Sequence, residues 1–234
     1  MKREEEQQSW RHELKFVCTQ PQLEIIKNRV RPLLAADPHT GPSGTYRIRS
    51  VYFDDVRDSC FYENEDGTDP REKFRIRIYN GSSERITLEL KQKCRGLNRK
   101  LSCPLTDRQC RQMLGGGLQE APEELAPLLR KWQLQHKNRL LRPKAIVEYE
   151  RTPYIFRLGN VRVTLDQNIT AGTQTERFLE GGFVRRPILP AGQHVLEVKY
   201  DAFLPDPVRQ LLALETLQRT SFSKYYLCRK FNVM

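Results

Sequence analysis

The chain has 234 residues, enough to bury one substantial core and short for two full-sized domains. Forty Lys and Arg against 29 Asp and Glu leave a net charge of +11, while 38% apolar and 9% aromatic content is too much for a disordered chain. No run approaches the roughly 18 apolar residues of a membrane span, and MKREEEQQSWRHE lacks the apolar core of a signal peptide, so the expectation is a cytoplasmic protein.

The predicted elements begin with a strand from Arg11 to Cys18, where Glu13, Lys15 and Val17 share one face and Leu14, Phe16 and Cys18 the other. Residues 20–34 read as a helix, with Leu23, Ile26 and Val30 near helical spacing. DPHTGPSG breaks the chain before a strand over 45–54. Strands follow at 72–79, 84–93 and 98–104, the first two joined by Asn80-Gly81 as a tight hairpin. Residues 106–142 read as helical with an interruption at Gly115-Gly116-Gly117. Strand signals return at 144–152, 161–166 and 194–200, and a last helix is predicted over 206–219. About eight strands without a βαβ rhythm imply an α+β fold built on an antiparallel sheet.

Alternation also sorts the charges. Lys73, Arg75 and Arg77 oppose Phe74, Ile76 and Ile78; Glu89, Lys91 and Lys93 oppose Leu88 and Leu90; Glu197 and Lys199 oppose Leu196 and Val198. Between Arg71 and Lys100 stand ten basic and three acidic residues. On an open sheet such charges simply face water. If the strands close into a barrel, one face lines a lumen, and like charges there call for an anionic ligand or interspersed acids. Arg in particular suits forked contacts with phosphate oxygens. Glu13, Glu89, Glu148, Glu150, Asp166 and Glu197 are available as compensation, or as hard oxygen ligands for a divalent cation.

Six cysteines (18, 60, 94, 103, 110, 228) form no Cys-x-x-Cys pair, and reduced thiols are expected. Four scattered histidines offer no nucleophile–base constellation, and His12 falls out of phase with Glu13 and Lys15, on the face away from a lumen. Trp10, Trp132 and the Tyr-rich tail are expected to pack outside the barrel.

The ordered motifs HELKF (12–16), YRIRSVYFDD (46–55), REKFRIRIYN (71–80), LELKQK (88–93), NRKLSCPL (98–105), IVEYERTPY (146–154), VRVTLD (161–166), HVLEVKYDAFLP (194–205) and SFSKYYLC (221–228) span almost the whole chain. In this order they resemble the polyphosphate polymerase domain of the vacuolar transporter chaperone (VTC) family, within the triphosphate tunnel (CYTH-like) superfamily. The resemblance implies one domain over 1–234, an antiparallel β-barrel tunnel with flanking helices. It also implies transfer of the ATP γ-phosphoryl group to inorganic polyphosphate with Mn²⁺ or Mg²⁺. Residue by residue it assigns phosphate binding to Lys15, the pair Arg75 and Arg77, Lys91, Lys100 and Arg151. It gives Lys199 as the basic neighbour of Glu197, and Ser223 and Lys224 as substrate-binding residues closing the site near the last helix. Glu197 resembles the metal-binding glutamate, with Glu13 and Asp166 as weaker candidates. Arg75, Arg77, Lys91, Arg151 and Lys199 are expected to act in catalysis.

Two departures accompany it. Ser221 stands where family members often carry a basic residue, and Arg151 has the opposite parity from Glu148 and Glu150, which a bulge could reconcile. Phosphoryl transfer to an anionic chain end needs positioning and charge neutralisation rather than a Ser/His/Asp device. A metal-dependent triphosphate or tripolyphosphate hydrolase would use the same lumen, but those relatives favour Glu-x-Glu-x-Lys, and His12-Glu13-Leu14-Lys15 carries one Glu. A catalytically silent polyphosphate-binding subunit is the other alternative. Nucleic-acid binding is disfavoured, because the basic residues alternate with core positions instead of forming an exposed arm. A separate membrane partner is compatible with the sequence.

Overall fold

The computed structural model describes residues 6–7, 9–214 and 217–230. Eight long antiparallel strands form the framework: β1 (His12–Thr19), β2 (Tyr46–Asp54), β3 (Arg71–Tyr79) and β4 (Ser82–Cys94); then β5 (Leu97–Leu105), β6 (Arg142–Phe156), β7 (Val161–Gly172) and β8 (Gln193–Tyr200). Their spatial order is β5-β4-β3-β2-β6-β7-β8-β1. The sheet curls into a half-barrel whose end strands meet at one bridge. There Arg11 and Asn98 exchange two backbone hydrogen bonds of 2.9 Å, and upstream Glu6–Gln7 pairs with Leu101–Ser102.

Local chemistry explains the turns. Asn80 and Gly81 both take positive φ (53° and 73°), as do Arg95 and Gly96 (51° and 78°), the backbone that a two-residue hairpin requires. Six helices pack around the sheet: α1 (Gln20–Val30), α2 (Ser59–Glu65), α3 (Asp107–Gly115), α4 (Pro127–Arg139), α5 (Asp206–Leu212) and α6 (Lys224–Lys230). Thr19 with Gln22 and Thr106 with Gln109 form capping boxes that start α1 and α3.

The convex face is apolar in two patches. Phe74, Ile76, Ile78, Leu88 and Leu90 pack under Met113 of α3 and Trp132 of α4. Leu196, Val198, Val163 and Leu165 pack under Leu23, Ile26 and Val30 of α1. Each fully buried Leu or Ile contributes about 1.5–3 kcal/mol relative to exposure, so this periodicity locks which side chains remain for the concave face. A third cluster fills one end of the concavity, where Val17, Val147 and Val195 meet Phe222, Tyr225 and Cys228.

The helices depart from their sequence limits. The predicted helix 20–34 stops at Val30, and residues 106–142 divide into α3, a short turn over 122–124, and α4. The helix expected over 206–219 ends at Leu212, and part of that range (215–216) lies outside the described residues. Helices α2 and α6 carry no apolar periodicity and depend on long-range contacts. The Asp54 carboxylate accepts hydrogen bonds from the Cys60 and Phe61 amides of α2 and from the Tyr225 hydroxyl of α6. That bond turns part of the Tyr-rich tail inward, against the expectation that it covers the outside; Trp132 does pack outside, fully buried.

Candidate functional site

The concave face encloses a cavity of about 160 Å³, and twelve of its twenty-three lining residues are Lys or Arg against two acids, Glu13 and Glu197. Strand β3 sets the pattern. Its alternate residues Phe74, Ile76 and Ile78 are held in the convex core, which leaves Lys73, Arg75 and Arg77 pointing into the lumen.

Three carboxylate-centred groups organise these cations. Glu89 accepts Arg75 Nε at 2.6 Å and Lys100 Nζ at 3.2 Å, with Arg77 Nη1 at 3.7 Å. Arg75 also donates to the Tyr52 hydroxyl at 2.8 Å. Burial alone would raise the Glu89 carboxyl, but Arg75, Arg77 and Lys100 outweigh it and hold the group well below its ordinary value.

Glu13 and Glu197 form the second group because β8 pairs with β1 in a register that sets Glu197 opposite Lys15 and Lys199 opposite Glu13. Lys91 Nζ reaches Glu13 at 2.8 Å and Lys199 Nζ reaches Glu197 at 2.9 Å. Lys15 lies 3.6 Å and 3.9 Å from the two and donates to the Phe222 carbonyl at 3.0 Å. Burial pushes the Glu13 carboxyl up, yet Lys15, Lys91 and Lys199 bring it down to about 2. Glu197, likewise buried, lies well below its usual range beside Lys199 and Lys15.

Asp166 anchors the third group, with Arg151 bound in a fork at 2.6 and 2.7 Å and Lys224 at 2.7 Å. The Tyr149 ring lies beneath both cations, 5.3 Å from Arg151 and 4.8 Å from Lys224.

Lysines also face one another along the ladder. Lys73 sits directly opposite Lys91 across β3–β4, and Lys91 directly opposite Lys100 across β4–β5. Like charges facing each other on a sheet are destabilising. Burial lowers both Lys73 and Lys91 from the usual lysine value, Lys91 far below it despite Glu13. A row of three lysines beside a paired arginine is suited to successive charges of a linear polyanion.

The structure brings Lys15, Arg75, Arg77, Lys91, Lys100, Arg151, Lys199, Ser223 and Lys224 together with Glu13 and Glu197 around this one cavity. Asp166 departs from its place as a metal candidate: it is fully buried and its oxygens are held by Arg151 and Lys224. Glu148 and Glu150 do not compensate the lumen. Glu148 binds Arg49 and Arg185, each at 2.6 Å, and exposed Glu150 accepts from Asn168. Arg151 therefore enters the lumen with Tyr149, and the carboxylates of opposite parity turn away from it. Ser221 lines an adjoining cavity of about 420 Å³ that shares Glu13, Lys15, Lys73 and Lys91 with the first. His12, expected to face away from the lumen, stacks on Tyr200 while also bordering the cavity.

Residue-by-residue resemblance overlooked Lys73, Tyr52, Tyr149, Arg162 and Tyr225, all of which line the cavity. For Lys73 and Arg162 the signal was present in their parity with Arg75 and Thr164. For the tyrosines it was not.

Among the described residues no group of three or more His, Cys, Asp or Glu side chains is arranged to hold a metal ion. Glu13 and Glu197 nonetheless fit a divalent cation of the Mg²⁺ or Mn²⁺ kind. They are adjacent, ionised, hard oxygen donors of the kind that binds such ions together with substrate phosphates, and a cation there would displace Lys91, Lys15 and Lys199 from their oxygens.

The sequence model of the VTC domain matches residues 10–232. Among solved structures, a Hippeastrum protein described as having a dominant triphosphatase activity shares 14% identity at a TM-score of 0.51, covering 94% of this chain and 96% of its own. The PH1819 protein of Pyrococcus horikoshii OT3 shares 15% at a TM-score of 0.49, covering 94% and 99%. At its identity, the likeness to the Hippeastrum protein is one of fold. No curated protein matches the chain by sequence.

Proposed function

The chain belongs to the VTC domain family, and from that premise we propose that residues 1–234 act as one polyphosphate polymerase domain of the triphosphate-tunnel kind. It transfers the γ-phosphoryl group of ATP to inorganic polyphosphate or phosphate. The observation that carries this reading is the row of facing lysines, Lys73, Lys91 and Lys100, beside the Arg75–Arg77 pair. It offers successive cations to a phosphate chain.

In the reaction a terminal oxygen of the acceptor chain forms a bond to the γ-phosphorus, and the bond from that phosphorus to the β–γ bridging oxygen breaks, releasing ADP. The acceptor oxygen is already anionic, so no side chain need remove a proton. Arg75 and Arg77, fixed by Glu89, Tyr52 and Ser50, take the charge on the moving phosphoryl oxygens. Lys73, Lys91 and Lys100 hold the chain in line. Arg151 and Lys224, held in place by Asp166, bind phosphate from the opposite wall. Lys15 and Lys199 neutralise charge beside Glu13 and Glu197. A divalent cation held by Glu197, with Glu13, would supply further charge neutralisation at the phosphate oxygens.

Incubation with ATP and Mn²⁺ followed by product sizing tests the proposal. Chains longer than three phosphates support it. Free phosphate without chains would instead identify a triphosphate hydrolase, and binding without turnover a silent polyphosphate-binding subunit.

A further inference from the structure

The lumen has a deep end and a mouth. Arg77, Arg151 and Lys224 expose only 7–9% of their side chains, whereas Lys100, Lys199 and Arg162 expose 26%, 32% and 35%. The exposed cations share the cavity lining with Arg11, His12, Asn98 and Arg99, so the opening lies along the seam where β1 meets β5.

That seam carries flat side chains. The Arg99 guanidinium lies 4.6 Å from the centre of the Trp10 ring and donates twice to the Gln92 side-chain oxygen, at 3.1 and 2.8 Å, which fixes its plane. Trp10 is 36% exposed although large and apolar. Two residues on, exposed His12 stacks on Tyr200 with ring centres 5.0 Å apart and planes within 16°. The deep lumen is rich in cations set among tyrosine rings and suits phosphates; the mouth adds the flat faces of Trp10, Arg99 and His12.

Building on the proposed use of a nucleoside triphosphate, we infer that the seam is a nucleobase subsite. The base stacks against Trp10 and Arg99 while the triphosphate extends inward to the lysine row and arginine pair. Charge orders the ligand in this direction, because the base cannot neutralise the deep cations and the phosphates can. Stacking does not read hydrogen-bond patterns, so the subsite favours purine rings over pyrimidines by area rather than by edge.

Titration calorimetry of the full chain in Mg²⁺ buffer with ATP and with inorganic tripolyphosphate tests this. Trp10→Ala is expected to weaken ATP roughly 5- to 150-fold, the range for loss of one base–aromatic stack, while tripolyphosphate affinity stays within about twofold. Trp10→Phe, which keeps a ring, should retain most of the ATP affinity and serves as the folding control. Of the two tryptophans, Trp132 is fully buried under α4, so ATP-induced fluorescence change in the wild type reports on Trp10. Unchanged ATP affinity in Trp10→Ala, or equal weakening of both ligands, overturns the subsite and leaves the phosphate lumen standing. Failure of the wild type to bind either ligand removes the lumen reading and the subsite with it.

Discussion

Glu89 is 1% exposed and holds Arg75, Arg77 and Lys100 within 2.6–3.7 Å, so replacing it by Gln removes one charge from beneath three cations. Breaking a buried pair by deleting one partner costs about 3–5 kcal/mol. An amide oxygen still accepts one hydrogen bond, which places Glu89→Gln near about 3 kcal/mol. For a chain of this size each kcal/mol is about 2–4 °C, so thermal unfolding of the ligand-free variant should fall by roughly 6–12 °C. Tripolyphosphate should then stabilise the variant more than the wild type, because an added polyanion takes the place of the missing carboxylate. The acid limb provides an independent check. The Glu89 carboxyl is depressed in the folded state, so its contribution is present above the unfolded value of 4.5 and is lost as pH falls through the lower folded value. The wild type should lose stability on that limb more steeply than Glu89→Gln. Scanning calorimetry with and without tripolyphosphate measures both effects. A variant melting within about 2 °C of the wild type, or gaining no more from the ligand, would refute the view that Glu89 neutralises a site built for an anion.

Further outcomes follow from the same geometry. Arg75→Ala or Arg77→Ala should lower kcat for polyphosphate synthesis on the order of 10²-fold or more, with Lys replacements recovering only part, since an ammonium cannot reproduce the fork. Folded alanine variants with wild-type kcat/KM would remove the pair from the reaction. Glu197→Gln should abolish metal-dependent turnover while circular dichroism is unchanged, and full activity at saturating Mn²⁺ would take Glu197 out of the site. Burial lowers Lys73 below the ordinary lysine value of 10.5, so it loses its proton, and its share of tripolyphosphate affinity, at a lower pH than a free lysine. Lys73→Met should weaken binding at neutral pH and flatten the alkaline decline; an unchanged pH profile would show that Lys73 does not touch the ligand.

The local faces of this protein are written in its sequence. Strict alternation placed Arg75 and Arg77 opposite Phe74, Ile76 and Ile78 because the side-chain period of a strand is two, and burial of the apolar set leaves the arginines no other side. Asn80-Gly81 announced its hairpin by the positive φ that such residues tolerate. Thr19 and Thr106 likewise marked where helices begin. Partnership between distant strands was not legible in this way. Glu13 and Glu197 become neighbours only because β8 pairs with β1 across most of the chain length, and the seam at Arg11 and Asn98 exists only once the sheet has curled. Parity could group Glu148 with Glu150 apart from Arg151, but only the assembled barrel decided which group faced inward; Arg49 and Arg185 waiting on the outer side made that placement affordable for Glu148. The short helices α2 and α6 lack the periodicity that predicts a helix. They form because one buried carboxylate, Asp54, accepts hydrogen bonds from both, and that bond carries Tyr225 into the lumen. Period and turn chemistry act over a few residues and can be read along the chain, whereas the neutralisation of one buried charge by another depends on distances that only tertiary structure sets.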